Sequence, residues 1–187
     1  MPSATPRDFS TWIRARRQTL RGIAIGTTTW ASAFGAAWSL WPPLPAMPSG
    51  GRVAYALQLA AVPAVLTFLM VCACFRLFDT AQAEDPLAGS ESQRFRVNQR
   101  VLTNTVEQAA AFVPIILALA TRLPPAQLKL LPIAVLIWSS GRLLFWGGYH
   151  LAPHWRAPGF DWTFYTTALL AAWYVAIEVS VVAAGPG

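Results

Sequence analysis

The chain of 187 residues is 55% hydrophobic and only 12% charged, with a mean hydropathy of +0.44, whereas a soluble domain carries about a quarter charged residues. These figures exclude an ordinary soluble enzyme and indicate an integral membrane protein with room for one bundle of four or five spans. The net charge of +6 does not point to nucleic acid: 13 of the 14 basic residues are Arg, and they lie beside apolar segments, where they orient a chain in the bilayer.

Five apolar segments are predicted as transmembrane helices, over 22–41, 54–75, 101–121, 130–150 and 162–184, each close to the roughly 20 residues a span needs. The basic N-terminus resembles a secretory signal, but the charge-free run from Gly22 to Gly51 is too long for one and no small-residue cleavage site ends it, so the first segment is read as a retained span. Within it, Gly22 and Gly26 form a G-x-x-x-G pair that permits close helix approach. Pro42-Pro43-Leu44-Pro45 with Gly50-Gly51 closes the first turn, Pro124-Pro125 the third, and the polar stretch Thr80 to Gln93 is the longest connection. Pro63 and Pro114 fall mid-span, where each removes a backbone donor and predicts a kink. Cys72 and Cys74 are read as buried packing residues, and most of the Trp residues as interfacial anchors or lipid-facing packing.

Five spans put the termini on opposite sides. With the N-terminus cytoplasmic, only Arg52, Arg122 and Lys129 fall on the outer side and the other eleven basic residues on the inner side, as the positive-inside rule requires. The cluster Arg14, Arg16, Arg17 and Arg21 then serves as an orientation signal that also attracts anionic headgroups.

The third segment carries the chain's most telling pattern. Arg100, Asn104 and Glu107 are spaced i, i+4, i+7 and share one helical stripe. An ionisable side chain inside lipid is costly and marks a candidate functional site. At 1.5 Å per residue, Glu107 lies about 9 Å inside the inner edge of a 30 Å core, and Arg142, on the antiparallel fourth segment, about 12 Å inside the same edge. Tyr149, seven residues beyond Arg142, returns to the level of Arg100. The expectation is a pocket open to the cytoplasm and lined by Arg100, Asn104, Glu107, Arg142 and Tyr149. Two readings stay open: a structural Glu107–Arg142 pair that fixes helix register, or a site for a small zwitterionic or anionic ligand gripped by Arg side chains.

Other polar groups are read more plainly. His150 and His154, spaced i, i+4, are taken as interfacial histidines, since Pro153 separates them and no third ligand is evident. Glu178 is an interfacial carboxylate near the outer headgroups, and Asp79, Glu84, Asp85 and Glu91 mark a solvated loop. The chain has no nucleophile elbow, phosphate-binding glycine loop or zinc signature.

The run Arg100-x3-Asn104-x2-Glu107, followed by Gly141-Arg142-Leu143-Leu144-Phe145-Trp146-Gly147-Gly148-Tyr149 and then Arg156-Ala157-Pro158-Gly159-Phe160, resembles the MAPEG superfamily, the membrane-associated proteins in eicosanoid and glutathione metabolism. The likeness covers about residues 54–184. It implies an all-α integral membrane fold, a MAPEG-like four-helix domain over 54–187, preceded in 1–53 by a cytoplasmic N-terminus and an additional N-terminal transmembrane helix. It further implies a homotrimer, in contact with membrane lipid, that binds glutathione between protomers near the cytosolic side, here in a bacterial inner membrane. By this resemblance Arg100, Asn104, Glu107, Arg142 and Tyr149 contact glutathione, Arg76 matches a further ligand-contacting Arg, and Arg156 matches the Arg that favours thiolate, the nucleophilic form of sulfur. The implied activity is glutathione-dependent transfer or peroxide reduction on lipophilic substrates. Two positions depart from the pattern: Gln108 stands where leukotriene-forming members carry Tyr after the Glu, and Phe145 replaces another Tyr. They support the competing reading, a non-catalytic MAPEG-like subunit of a larger membrane assembly.

Overall fold

A computed structural model of the chain describes residues 9–80, 84–85 and 87–184; Arg7, counted above among the orienting cations, lies outside them. Five long helices follow one another: α1 (Phe9–Leu40), α2 (Ser49–Cys72), α3 (Gln93–Arg122), α4 (Leu130–Leu151) and α5 (Arg156–Ala184). Single 3-10 turns precede α4 and α5, at Pro125–Gln127 and Pro153–Trp155, and a third follows α2 at Arg76–Phe78. Among the described residues there are no strands.

Four segments, Ser49–Cys72, Gln93–Arg122, Pro125–Leu151 and Pro153–Ala184, are long and apolar enough to cross a membrane. The first predicted span is not among them. Although α1 has 32 residues, four Arg occupy its first half, and Gly, Thr and Ser dilute the apolar content of the second. It nonetheless packs along α5, running parallel to it. Gly22 lies against Ala157, Trp30 Nε1 donates to Thr166 Oγ1 at 3.0 Å, and Trp162 Nε1 donates to Thr29 Oγ1 at 3.0 Å. Farther along, Trp38 packs against Trp173 with tilted rings, their centres 6.0 Å apart. The glycine pair works as its spacing predicts: a Cβ on Gly26 would collide with the Asp161 carboxylate and approach Pro158 Cα to 2.8 Å.

Helix boundaries differ from the hydropathy reading where polar residues extend a helix beyond lipid. α3 starts at Gln93 rather than 101 because Ser92 caps it, its hydroxyl accepting the Phe95 N–H at 3.0 Å. α2 and α3 continue through Pro63 and Pro114 without interruption, and Thr67 Oγ1 donates to the Pro63 carbonyl at 2.8 Å. The loop before α3 is tied down at its ends: Asp79 Oδ2 accepts the Ser92 N–H at 2.9 Å, and Arg76 pairs with Glu91 at 2.9 Å. Hydrogen bonds from the Ser92 side chain and backbone hold the Asp79 carboxyl below its ordinary pKa of 3.8. A carboxylate whose native pKa is depressed stabilises above the unfolded value and loses that contribution as pH falls through the native one. The protection of the Ser92 amide against hydrogen exchange, relative to an unstructured peptide at the same pH, is therefore expected to hold at neutral pH and to fall as pH drops below the carboxyl's ordinary 3.8, and Asp79→Asn should remove this pH dependence.

α4 is the buried axis of the bundle, packed by α2, α3 and α5. One apolar cluster gathers Phe112, Ile116 and Leu119 of α3 with Leu131, Ala134 and Trp138 of α4 and Leu170 of α5. A smaller one joins Leu66 and Met70 of α2 to Val101 and Phe145. Trp138 corrects the general reading of the tryptophans. It is fully buried and stacks on Phe112 at 4.9 Å, because α4 is covered on nearly every side. Lipid-facing residues such as Val62, Val65 and Phe68 on α2 and Val175 and Val179 on α5 are exposed, as spans in hydrocarbon require. Cys72 and Cys74, expected to be buried, are both half-buried free thiols.

The three cations assigned to the outer side all bond within the protein. Arg52 donates to the Leu123 carbonyl at 2.9 Å, Lys129 to the Trp38 carbonyl at 2.6 Å, and Arg122 pairs with Glu178 at 2.8 Å. Together they fasten α2, α4 and α5 to their neighbours at the end where α3 finishes. The other end, where α3 begins, holds Arg94, Arg96, Arg100 and Arg156, all exposed.

Candidate functional site

The predicted ligand-contacting residues lie toward the Arg-rich half of the bundle, arranged differently from the expectation. With about 100° of rotation per residue, Arg100, Asn104 and Glu107 fall within about 60° of one another on α3. The buried side of that helix is set by Val101, Thr105 and Phe112, all fully inaccessible. Asn104 lies at the border of that side, half-buried, while Arg100 and Glu107 are exposed.

Arg142 projects from α4 into the bundle and is fully buried. Its Nη1 donates to Asn104 Oδ1 at 2.9 Å, and its guanidinium lies 4.3 Å from the Phe145 ring centre. Nε and Nη2 have no partner among the described residues. A buried charge of this kind is costly unless its hydrogen bonds are met, and three N–H groups here remain open. The expected Glu107–Arg142 convergence is absent: Glu107 faces outward, and the two ion pairs of the described residues are Arg76–Glu91 and Arg122–Glu178. Depth arithmetic placed the two groups at similar levels but carried no information on azimuth. The border position of Asn104, one turn away, makes it the partner instead.

Close helix packing fixes Arg142. Its neighbour Gly141 meets α5 where a Cβ would approach Trp162 Cβ to 2.7 Å and Gly159 O to 3.1 Å, and Gly159 in turn lies against the α4 backbone at Phe145. Only glycines let the two backbones come this near.

A cleft of about 600 Å³ opens on the exposed flank of α3, lined by Glu91, Arg96, Arg100, Leu102, Thr103 and Tyr149 among others. It unites Arg100 with Tyr149 as predicted; Asn104, Glu107 and Arg142 are not in its lining. At its margin Arg156 Nη1 donates to Tyr149 Oη at 3.4 Å, with the guanidinium 5.3 Å from the ring centre. Arg76 stands beside Glu91, 4.7 Å over the Phe95 ring, so it reaches the cleft only through its ion-pair partner. The chain thus leaves the Arg100–Glu107 face of α3 uncovered.

Sequence reading missed one polar centre. Asn98, 6% exposed, donates through Nδ2 to the Ala73 carbonyl at 3.0 Å. Its Oδ1 accepts Trp146 Nε1–H at 2.9 Å and lies 2.7 Å from His150 Nε2. It binds α2, α3 and α4 together at this end. The available signal was a second asparagine on α3 opposite the i, i+4 pair Trp146 and His150 on α4.

Fold and site define a helical integral membrane protein with four spanning helices and a cationic, amide-bearing centre at one end of the bundle. The chain belongs to the MAPEG family, whose family model matches residues 53–177. No curated protein and no solved structure gives a significant match.

Proposed function

We propose that the protein is a glutathione-dependent transferase or peroxidase acting on lipophilic substrates that reach it from the bilayer. The observation that carries this reading is Arg142, a buried guanidinium with Nε and Nη2 open, bonded to Asn104 beside the cleft of Arg100 and Tyr149. Nε and Nη2 are sealed from solvent in this conformation; a shift of α3 that uncovers them would let a carboxylate of glutathione meet them by paired charge-assisted hydrogen bonds. Glu107 and Arg100, exposed in the protomer, would face a neighbouring subunit of a homotrimer, so that the ligand completes its contacts between chains. Arg76 would extend the site at the Glu91 edge. In a bacterial inner membrane the Arg-rich end would face the cytoplasm, in keeping with the eleven-to-three distribution of basic residues, and α1 would cross beside α5.

Arg156 would act on sulfur. A guanidinium next to a thiol favours the thiolate, which attacks the electrophilic carbon while the leaving group departs with the bonding pair. Cys74 is a poor substitute nucleophile, because burial pushes its thiol pKa up. Calorimetry on purified protein should show glutathione binding, and Arg156→Ala should raise the pKa of the bound thiol by about 1 unit, read from thiolate absorbance against pH. Arg156→Lys should restore part of the shift. Absence of binding, or an unchanged thiol titration in Arg156→Ala, removes the reading.

The competing reading is a non-catalytic subunit of a larger membrane assembly. It is favoured by the outward turn of Glu107 away from Arg142, together with Phe145, whose ring occupies the apolar cluster and offers no hydroxyl. Native mass spectrometry separates the two: a homotrimer carrying thiol supports the enzyme, and a stoichiometric foreign subunit supports the assembly.

A further inference from the structure

A second cleft, of about 560 Å³, lies on the opposite flank of α3 from the Arg100 cleft and is lined by Asp79, Arg94, Asn98, Trp146 and His150. Arg94 and Asn98 are on one side of the α3 wheel; Arg96, Arg100 and Thr103 are on the other. We infer that this second cleft holds the headgroup of an amine-bearing phospholipid, its phosphate against Arg94 and its ammonium against Asp79.

The Asn98 centre gives the cleft a fixed wall. Its amide orientation is set because Nδ2 must donate to the Ala73 carbonyl, which leaves Oδ1 as acceptor for both Trp146 and His150. An amide oxygen only accepts, so His150 Nε2 carries a hydrogen. The imidazole is held by that bond, and Nδ1 remains as an acceptor, to which an ammonium can donate. Asn98 is 6% exposed with all these bonds made, so the wall has a buried, satisfied amide at its centre, with Trp146 half-buried and His150 exposed around it.

The charges select the ligand. Arg94 presents a cation suited to paired bonds with phosphate oxygens. Asp79 presents a carboxylate to the same cleft, held in place by hydrogen bonds from the Ser92 side chain and backbone and the Thr80 backbone, with Arg76 nearby. A purely anionic headgroup is repelled by Asp79 and a purely cationic one by Arg94. A zwitterion with phosphate and ammonium a few ångströms apart satisfies both. The remaining titratable lining group, the Cys72 thiol, adds no charge when protonated.

Position selects lipid over a dissolved zwitterion. The cleft sits where α2 and α4 end and α3 begins, the level of headgroups for helices that span the bilayer. Leu143 and Phe75 line it and are 54% and 51% exposed, and Val71 is exposed one turn deeper on α2. Acyl chains would lie along that apolar margin. None of this depends on the thiol reading, since the two clefts share no lining residue.

The test is native mass spectrometry of the full chain released from detergent with added phosphatidylethanolamine, phosphatidylglycerol or the water-soluble glycerophosphoethanolamine. Phosphatidylethanolamine is expected to be retained about tenfold more tightly than phosphatidylglycerol, a difference of about 1.4 kcal/mol. Arg94→Gln should lower its retention by about tenfold or more, and Asp79→Asn should erase the preference while keeping total lipid retention. Helical circular dichroism of both variants reports that the bundle is intact. Equal retention of the two lipids by the natural sequence, or full retention by Arg94→Gln, overturns the proposal. Glycerophosphoethanolamine binding as tight as the lipid overturns the lipid assignment, and displacement of bound lipid by glutathione overturns the separateness of the two sites.

Discussion

Gly159→Ala is expected to disrupt the α4–α5 crossing, with a loss of about 3 kcal/mol or more, the upper end of overpacking costs. The added carbon would collide with the Phe145 backbone nitrogen and approach Phe145 Cα and Gly141 O to 2.6 Å each. All three are backbone atoms, so no rotamer change relieves the clash and the helices must separate. Separation pulls Gly141 away from Trp162 and Thr163 and carries Arg142, the next residue, off Asn104. The variant should therefore lose glutathione binding together with thermal stability. Gly147→Ala is the internal control. Nothing lies within 4 Å of a Cβ there, and replacing a mid-helix glycine by alanine stabilises a helix by about 1 kcal/mol. A melting temperature for Gly159→Ala within a degree or two of the natural protein, at about 2–4 °C per kcal/mol for a chain of this size, would mean that the crossing is not the constraint described.

The helical class and four of the spans were legible in the sequence because hydropathy and helix length are local properties. Gly22 and Gly26 were legible too, since small residues at i, i+4 have one common use between helices. Azimuth was not. The Arg100-Asn104-Glu107 stripe says that three groups share a face, yet which neighbour that face meets depends on the rotation of α3, set by Val101, Thr105 and Phe112 packing inward. Arg142 consequently bonds the stripe's border residue and leaves Glu107 outside. Trp138 was misjudged for a related reason: a Trp near a span end is an anchor only if its helix touches lipid, and α4 does so on few faces. The centre that Asn98, Trp146 and His150 form was not legible because hydrogen bonds that join three helices have no linear motif. α1 shows the opposite limit. Its hydropathy falls short of a span, while its Thr and Trp side chains, the source of that shortfall, make the hydrogen bonds that attach it to α5.

Arg142 supplies the second large effect, and its direction separates function from structure. In the double variant Arg142→Met/Asn104→Leu, a buried guanidinium with Nε and Nη2 unpartnered and its single side-chain acceptor are both replaced by apolar groups. Exchanging buried charge for well-packed apolar side chains is commonly neutral or stabilising by about 1–4 kcal/mol. Met at 142 would lie between Trp138 of one apolar cluster and Phe145 of the other and join them. The melting temperature should accordingly hold or rise. Arg142→Met alone should gain less, because Asn104 Oδ1 loses its donor, a cost of about 1–3 kcal/mol. Glutathione affinity should fall in both variants, by about 10- to 100-fold for the loss of charge-assisted bonds worth about 1.5–3 kcal/mol. A residue kept for stability gives the reverse pattern, a large drop in melting temperature in the double variant. That result, with ligand affinity unchanged, would assign Arg142 and Asn104 to holding the bundle together and leave ligand binding to the Arg100–Tyr149 cleft alone.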